Sequence, residues 1–465
     1  MNDNDRLLED LGQRYLEAYP HAGREWVRAA DSLIGGGSHT LRLFSPAPFR
    51  IGEARGALVT DGDGQEILDL WQGHYTNILG HNPPVVTGAL TKGFEAGYGL
   101  QSGIVDSLQI DFAELLQRQT GGERVRFTTS GALANQYAIM LARAFTDRSL
   151  ILKIGGGWQG AQALTLKGVS FRDGYDHAET EGLSQDVMDR VLVARYNDPA
   201  NLEEIFRQHG DRIACFILEP WMGMGGFMPA SAEYLQTARE LTRRYGTVLI
   251  FDEIISGFRF RAGGVHTLYG IEPELSTYAK IVGGGMPLAV VCGREEIMRL
   301  CGPEAGRRVK FDGGTFSAHP AALLAGFTTV EYLAAHEEEI YPELGRLGKK
   351  MRRGVEEAFA RADISVICTG DGNEVVPDSS VGMLHFPVDE GLEIISPEHV
   401  WDPTVCDVVR REQVLKLALL LGRVHVMHGL GALSTEHTDD HLAWLFQACE
   451  GAADYLRRDR DGTID

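Results

Sequence analysis

The 465-residue chain has no Cys-x-x-Cys pair, and its six cysteines stand apart at 215, 292, 301, 368, 406 and 449. A zinc ribbon or a disulfide framework is therefore not expected, and free thiols in a reducing compartment are. No stretch approaches the ~18 consecutive apolar residues of a membrane-spanning helix. The N-terminal stretch MNDNDRLLEDLGQRYLEAYP lacks a basic region followed by an apolar one, so no signal peptide is expected and a cytoplasmic setting is. Basic residues are in deficit: 44 Lys and Arg face 65 Asp and Glu, a formal charge of −21. That weighs against a surface built for nucleic acid or for an anionic membrane. It leaves room for a few local arginines to bind an anionic substrate. There is no HExxH or similar spacing, so no metal site is expected. Gly283-Gly284-Gly285 precedes Met-Pro and opens no helix, so it is not a dinucleotide fingerprint.

What is present is a change of pattern along the chain. The first ~30 residues have helical apolar spacing through Leu7, Leu8, Leu11, Tyr15 and Leu16. Two short apolar runs, 57–60 and 66–70, flank Asp61-Gly62-Asp63-Gly64 and predict a hairpin. From about 100 to 330, near-continuous apolar runs at 125–128, 150–154, 214–218, 247–251 and 288–292 alternate with amphipathic stretches. Such alternation predicts an α/β fold with a mostly parallel sheet covered on both faces. The expected organisation is 1–95 as an N-terminal helix and part of a small domain, 96–330 as a large α/β domain, and 331–465 as the rest of a small α+β domain. A closing helix is expected around Asp440–Arg457.

In a parallel sheet the ligand lies beyond the carboxyl ends of the strands. After Phe127 comes Thr128-Thr129-Ser130-Gly131-Ala132 and then a helical run. Backbone N–H groups at such a helix start can hold a phosphate, and Ser130 also reads as a plain N-cap. After Phe251 comes Asp252, a carboxylate at the end of a buried strand, which needs a partner. It can pair with a protonated ring nitrogen or simply accept backbone hydrogen bonds. Lys280 stands in the apolar stretch Tyr278-Ala279-Lys280-Ile281-Val282 before three glycines. Desolvation lowers a lysine's pKa and makes its amine a nucleophile.

Together these segments resemble the class III aminotransferases, pyridoxal-phosphate (PLP) enzymes of fold type I, and within them the glutamate-1-semialdehyde aminomutase-like branch. LIFDEIISGFR and AKIVGGGMP carry the resemblance most specifically, with support from SGALAN, FILEP and GGTFSAHPAALLAG. The resemblance implies a seven-stranded large domain and PLP as cofactor. It implies that Lys280 holds PLP as a Schiff base and moves protons, and that Asp252 faces the ring nitrogen. It assigns Ser130, Gly131 and Ala132 to the phosphate, Trp158 to the ring face, and Glu219 and Ile254 to the cofactor's surroundings. Thr315 matches a threonine that reaches the neighbouring subunit's PLP, which implies a homodimer with sites at the interface. Arg42, six residues beyond Gly35-Gly36 and followed by Phe44, matches a substrate-carboxylate arginine, with His74 and Gln159 as further substrate contacts. Arg259 competes for the carboxylate role, and Tyr75 and His428 fall at pocket positions.

The chain departs from the family pattern at Ala132 and Leu133, where Thr and Glu are usual, and at Gln159, where His is usual. Ser317-Ala318-His319-Pro320 replaces Ser-Gly-Asn-Pro, and residues 371–412 do not align well. These departures suggest an unusual substrate or a separate subfamily. The expected activity is transfer of an amino group between an amine and a keto or aldehyde acceptor. The same residues serve an aminomutase or an amino-acid epimerase, and a non-catalytic PLP-fold binder is a remote third reading.

Overall fold

The computed structural model describes residues 3–172, 174–306, 308–389 and 391–460. Its centre is a sheet of seven strands: β1 (Arg124–Thr128), β2 (Leu150–Ile154), β3 (Val191–Ala194), β4 (Ile213–Leu218), β5 (Val248–Asp252), β6 (Leu275–Tyr278) and β7 (Ala289–Gly293). Their order is β1-β7-β6-β5-β4-β2-β3. Each neighbouring pair is parallel except those with β7, which runs against both β6 and β1. The seven-stranded, mostly parallel sheet is the one expected. Two of its strands, β3 and β6, were not among the apolar runs picked out above. Both are four residues long, and β6, Leu-Ser-Thr-Tyr, has polar residues that hide it.

Alternation along each strand divides the core in two. Ile151, Ile217 and Ile250 point to one side, where they meet Ala134, Ala138 and Leu141 of the helix Gly131–Thr146. Leu152, Phe216 and Leu249 point to the other, against Phe206, Tyr234 and Leu235. A separate core joins both chain ends: Leu7, Leu11 and Tyr15 pack with Ile67, Leu70, Met351, Leu415 and Leu445. There the hairpin forms as expected, Leu58–Asp61 against Glu66–Asp69, and Val424–His425 adds a parallel strand. The N-terminal helical stretch is two helices, Asp3–Ala18 and Pro20–Ala30, broken where proline removes a backbone donor. The closing helix runs Asp439–Arg460.

The segment that did not align reaches between the two cores. It supplies the strand Val381–His385 and the short helix Pro397–Trp401. Trp401 Nε1 donates to the carbonyl of Met224 at 3.0 Å.

Candidate active site

Five strand ends meet at one edge of the sheet, as the parallel arrangement requires. Asp252 ends β5, Thr129 and Ser130 follow β1, Trp158 follows β2, Glu219 follows β4 and Lys280 follows β6. The antiparallel β7 contributes through its lead-in, Met286-Pro287-Leu288. All of these residues line one cleft of about 640 Å³, together with Gly131, Ala132, Ile254, Arg42 and His39.

Asp252 is fixed from two sides. Asn135 Nδ2 donates to Oδ2 at 2.7 Å and the Ile254 N–H to Oδ1 at 3.1 Å. Asn135 is itself oriented, because its Oδ1 accepts from Thr277 Oγ1 at 2.7 Å and its Nδ2 also reaches the Gln159 carbonyl at 3.1 Å. Burial pushes the Asp252 carboxyl up, and these two donors only partly oppose it. Glu219 is pushed up by burial and then by the charge of Asp252. Its Oε1 accepts from the Trp158 N–H at 2.9 Å and from Gln159 Nε2 at 3.0 Å, and its Oε2 from the Gly223 N–H at 2.9 Å. Lys280 opens a short 3₁₀ turn with a left-handed backbone, φ 51°. Desolvation pulls its amine down to about 8, against the pull of Asp252 and Glu219.

Ser130 is the N-cap of the helix Gly131–Thr146, and its Oγ accepts from the Leu133 N–H at 3.3 Å. The N–H groups of Gly131 and Ala132 are left among the helix's unpaired donors. The backbone comes close here: a Cβ on Gly160, whose φ is +93°, would meet the Cβ of Ala132 at 2.5 Å.

The opposite wall is built on unusual backbone. Gln72, Gly73, His74 and Tyr75 all have positive φ, between 48° and 67°, which makes a left-handed turn. Residues other than glycine resist this conformation, so outside contacts must hold it. Asp69 holds its start, accepting from the N–H groups of Trp71 at 3.1 Å and Gln72 at 3.0 Å. Arg259 holds its end through the Tyr75 carbonyl. Gly73, Thr76 and Asn77 thereby face the cleft.

Arg42 and His74 come together: Arg42 Nε donates to His74 Nε2 at 3.3 Å. His74 can accept because burial, then the neighbouring His39 and Arg42, pull its pKa down to about 3 and keep it neutral. Among the described residues this is the one hydrogen bond recorded for the Arg42 guanidinium, whose terminal nitrogens stay uncommitted.

Several residues predicted for the site lie elsewhere. Gln159 does not line the cleft. It is fully buried behind Trp158, because its amide is drawn to Glu219. Arg259 is 2% exposed and spends its donors on the carbonyls of Ile255, at 3.1 Å, and Tyr75. Tyr75 packs edge-on against Phe227 in the core, and His428 pairs with Glu412 at 3.0 Å. Thr315, expected to serve a neighbouring subunit's cleft rather than its own, is exposed on a loop outside this cleft. Conversely, Asn135 and His39 were not predicted. Asn135 stood in the motif SGALAN, but its role depends on a carboxylate 117 positions away.

The family model described as "Aminotransferase class-III" matches residues 44–372. The chain belongs to that family. It is 38% identical over 336 residues to the glutamate-1-semialdehyde 2,1-aminomutase of Methanocella arvoryzae, covering 71% of this chain and 76% of that one. The enzyme of the same name from Desulforudis audaxviator is 34% identical over 436 residues, 92% of this chain and 96% of its own. Among solved structures, an omega-transaminase from Sphaerobacter thermophilus superposes with a TM-score of 0.81 at 31% identity, covering 93% of this chain and 97% of that one. A β-phenylalanine aminotransferase from Variovorax paradoxus gives 0.82 at 26% identity, covering 96% of each chain.

The class III family is PLP-dependent, and PLP is the cofactor of this enzyme. The cleft fits it. The buried Asp252 carboxylate is short of positive charge, which a protonated ring nitrogen would supply. The Gly131–Thr146 helix offers unpaired N–H donors to a phosphate, and a desolvated amine stands in the same cleft.

Proposed function

We propose that this class III aminotransferase-family enzyme shifts an amino group between adjacent carbons of a carboxylate-bearing substrate. The observation that carries this reading is Arg42. Its uncommitted guanidinium lines the same cleft as Lys280, and a guanidinium holds a carboxylate through two parallel hydrogen bonds. The curated relatives are named glutamate-1-semialdehyde 2,1-aminomutase, and that substrate carries a carboxylate.

PLP, when bound, supplies the electron sink that stabilises negative charge on the carbon beside the nitrogen. The chain's residues do the rest. Lys280, once free, is the base that takes the proton from the amine-bearing carbon and returns it. Asp252 keeps the ring nitrogen charged, and Asn135 keeps Asp252 in place. Ser130, Gly131 and Ala132 hold the phosphate, the first by capping the helix and the other two by their N–H groups. Trp158 and Ile254 enclose the ring. Glu219 aligns Trp158 through its backbone, and Gln159 steadies Glu219 without touching the substrate. His74 orients Arg42. Thr315 acts across a homodimer interface.

Intermolecular transfer is the second reading, favoured by the omega-transaminase that superposes over 93% of this chain. Holoenzyme mixed with glutamate-1-semialdehyde alone separates the two. The intramolecular shift yields the isomer carrying its amine on the former aldehyde carbon, with no second substrate. Failure to isomerise, with an amino acid bleaching the visible cofactor band and a keto acid restoring it, would replace this reading by transamination.

A further inference from the structure

A second cavity, of about 860 Å³, lies between the N-terminal helix Asp3–Ala18, the 40–46 segment and the residues 412–417. Its walls are largely apolar, with Leu8, Leu16, Leu41, Leu43, Phe44 and Met427 among them. Among the described residues, one charged group in it has no oxygen within hydrogen-bond distance. Lys416 is 6% exposed, and among the described residues the one hydrogen-bond contact of its ammonium is the sulfur of Met427, at 3.9 Å. The ammonium also stands 5.4 Å from the centre of the Phe44 ring.

Glu412, one turn earlier, does not meet this need. Its Oε1 accepts from Arg411 Nε at 2.7 Å and its Oε2 is paired with His428 Nδ1 at 3.0 Å. Burial pulls the Lys416 amine down, with Glu412 opposing. A buried ammonium without an anionic oxygen is costly, and an apolar cavity around it leaves room for a ligand to bring one. Glu412 also lines the cavity, with both its oxygens engaged, and Glu9 and Glu17 belong to the lining as exposed residues of the first helix. Their charges disfavour a second carboxylate at that end. The wall is shared with the active site, because Arg42 faces the catalytic cleft between Leu41 and Leu43, which face this cavity.

We propose that this cavity binds an aliphatic monocarboxylate, its chain along the apolar wall and its carboxylate on Lys416 Nζ. The ligand is either a separate molecule or the distal end of a long substrate that passes Arg42. The second source rests on the proposed cofactor chemistry but takes the substrate carboxylate past Arg42 to Lys416, while binding itself rests on neither.

Calorimetric titration of the PLP-loaded enzyme with octanoate tests the site. Saturable binding is expected, at least about tenfold weaker in Lys416→Met, since a charge-assisted hydrogen bond is lost. Leu16→Trp, which fills the cavity from an exposed helix position and leaves the charge alone, should weaken it as well. Octanedioate should bind less tightly than octanoate, and equal affinity would overturn the assignment of a monocarboxylate. No saturable heat, or unchanged affinity in Lys416→Met, would overturn the site. 8-Aminooctanoate separates the sources. A change in the visible cofactor band that Lys416→Met abolishes identifies a substrate tail. Competition with octanoate and no band change identifies a separate ligand. An enzyme whose band no amine alters, yet which binds octanoate, would discard the proposed function and keep the site.

Discussion

In the proposed reaction Lys280 acts as a free amine, so the proton it carries matters most. Its surroundings lower its affinity for that proton, with burial outweighing the attraction of Asp252 and Glu219. A lysine pulled down to about 8 is largely neutral above that pH, where an ordinary lysine stays charged up to about 10. The rate at which cofactor-free enzyme captures PLP should therefore climb through pH 8 and level off above it. Stopped-flow absorbance would check this, and a climb continuing to pH 10 would mean an unperturbed lysine. Asn135 makes a second test. Asn135→Ala removes the 2.7 Å bond to Asp252 and should raise that carboxyl by about one unit, worth about 1.4 kcal/mol. The acid limb of the pH–rate profile should move up accordingly, while Asn135→Asp, a like charge beside Asp252, should move it further. Asp252 was legible in the sequence because it ends an apolar run that announces a strand, and Lys280 because it stands in an apolar stretch before three glycines, although its own strand was hidden. Asn135 was not, since nothing local in SGALAN states what its side chain meets. Gln159 was misread for a related reason: its position by family pattern was clear, but its amide turns to Glu219 rather than the cleft.

At the scale of elements, the left-handed turn 72–75 depends on one buried carboxylate. Asp69 ends the hairpin strand Glu66–Asp69, caps the turn with two backbone N–H bonds, and pairs with His81 at 2.8 Å and His425 at 2.9 Å. His425 belongs to the strand added from the far end of the chain, so the contact ties the cleft wall to the small core. The two histidines outweigh the cost of burial and hold the Asp69 carboxyl well below the usual carboxylate range. Its contribution is thus fully present above its unfolded value near 4 and is lost as pH falls below that. Asp69→Asn should cost about 3 kcal/mol at pH 7, as for breaking a buried pair. It should lower the melting temperature by several degrees, with the gap to wild type closing below pH 4. A gap constant with pH would mean that Asp69 acts by shape alone. The hairpin was legible from its Asp-Gly steps, but the turn was not. Only one of its four residues is glycine, and the contacts that force the others into positive φ come from positions 69 and 259.

At the scale of the whole molecule, the single chain exposes a cluster of large apolar side chains. Leu100, Ile104, Val105 and Ile110 are 78, 67, 84 and 62% exposed, and Phe316 is 60% exposed beside Thr315. The two segments are neighbours, because the Ala321 N–H bonds to the Gly99 carbonyl at 3.1 Å. Clustered exposed apolar side chains of this kind mark an interface. The loop that carries Thr315 lies outside its own cleft, which fits the proposed role at a partner's. Sedimentation at micromolar concentration should therefore give a particle of twice the 51.0 kDa chain. Ile104→Asp combined with Val105→Asp buries two charges in that contact and should give monomers. If Thr315 acts across the interface, those monomers keep Lys280 and Asp252 but bind PLP more weakly, and Thr315→Ala alone weakens binding in an intact dimer. A double variant that stays dimeric would move the interface elsewhere. A monomer with undiminished PLP affinity would make each cleft self-sufficient. The −21 charge of each chain opposes association, so the local apolar strip has to outweigh it.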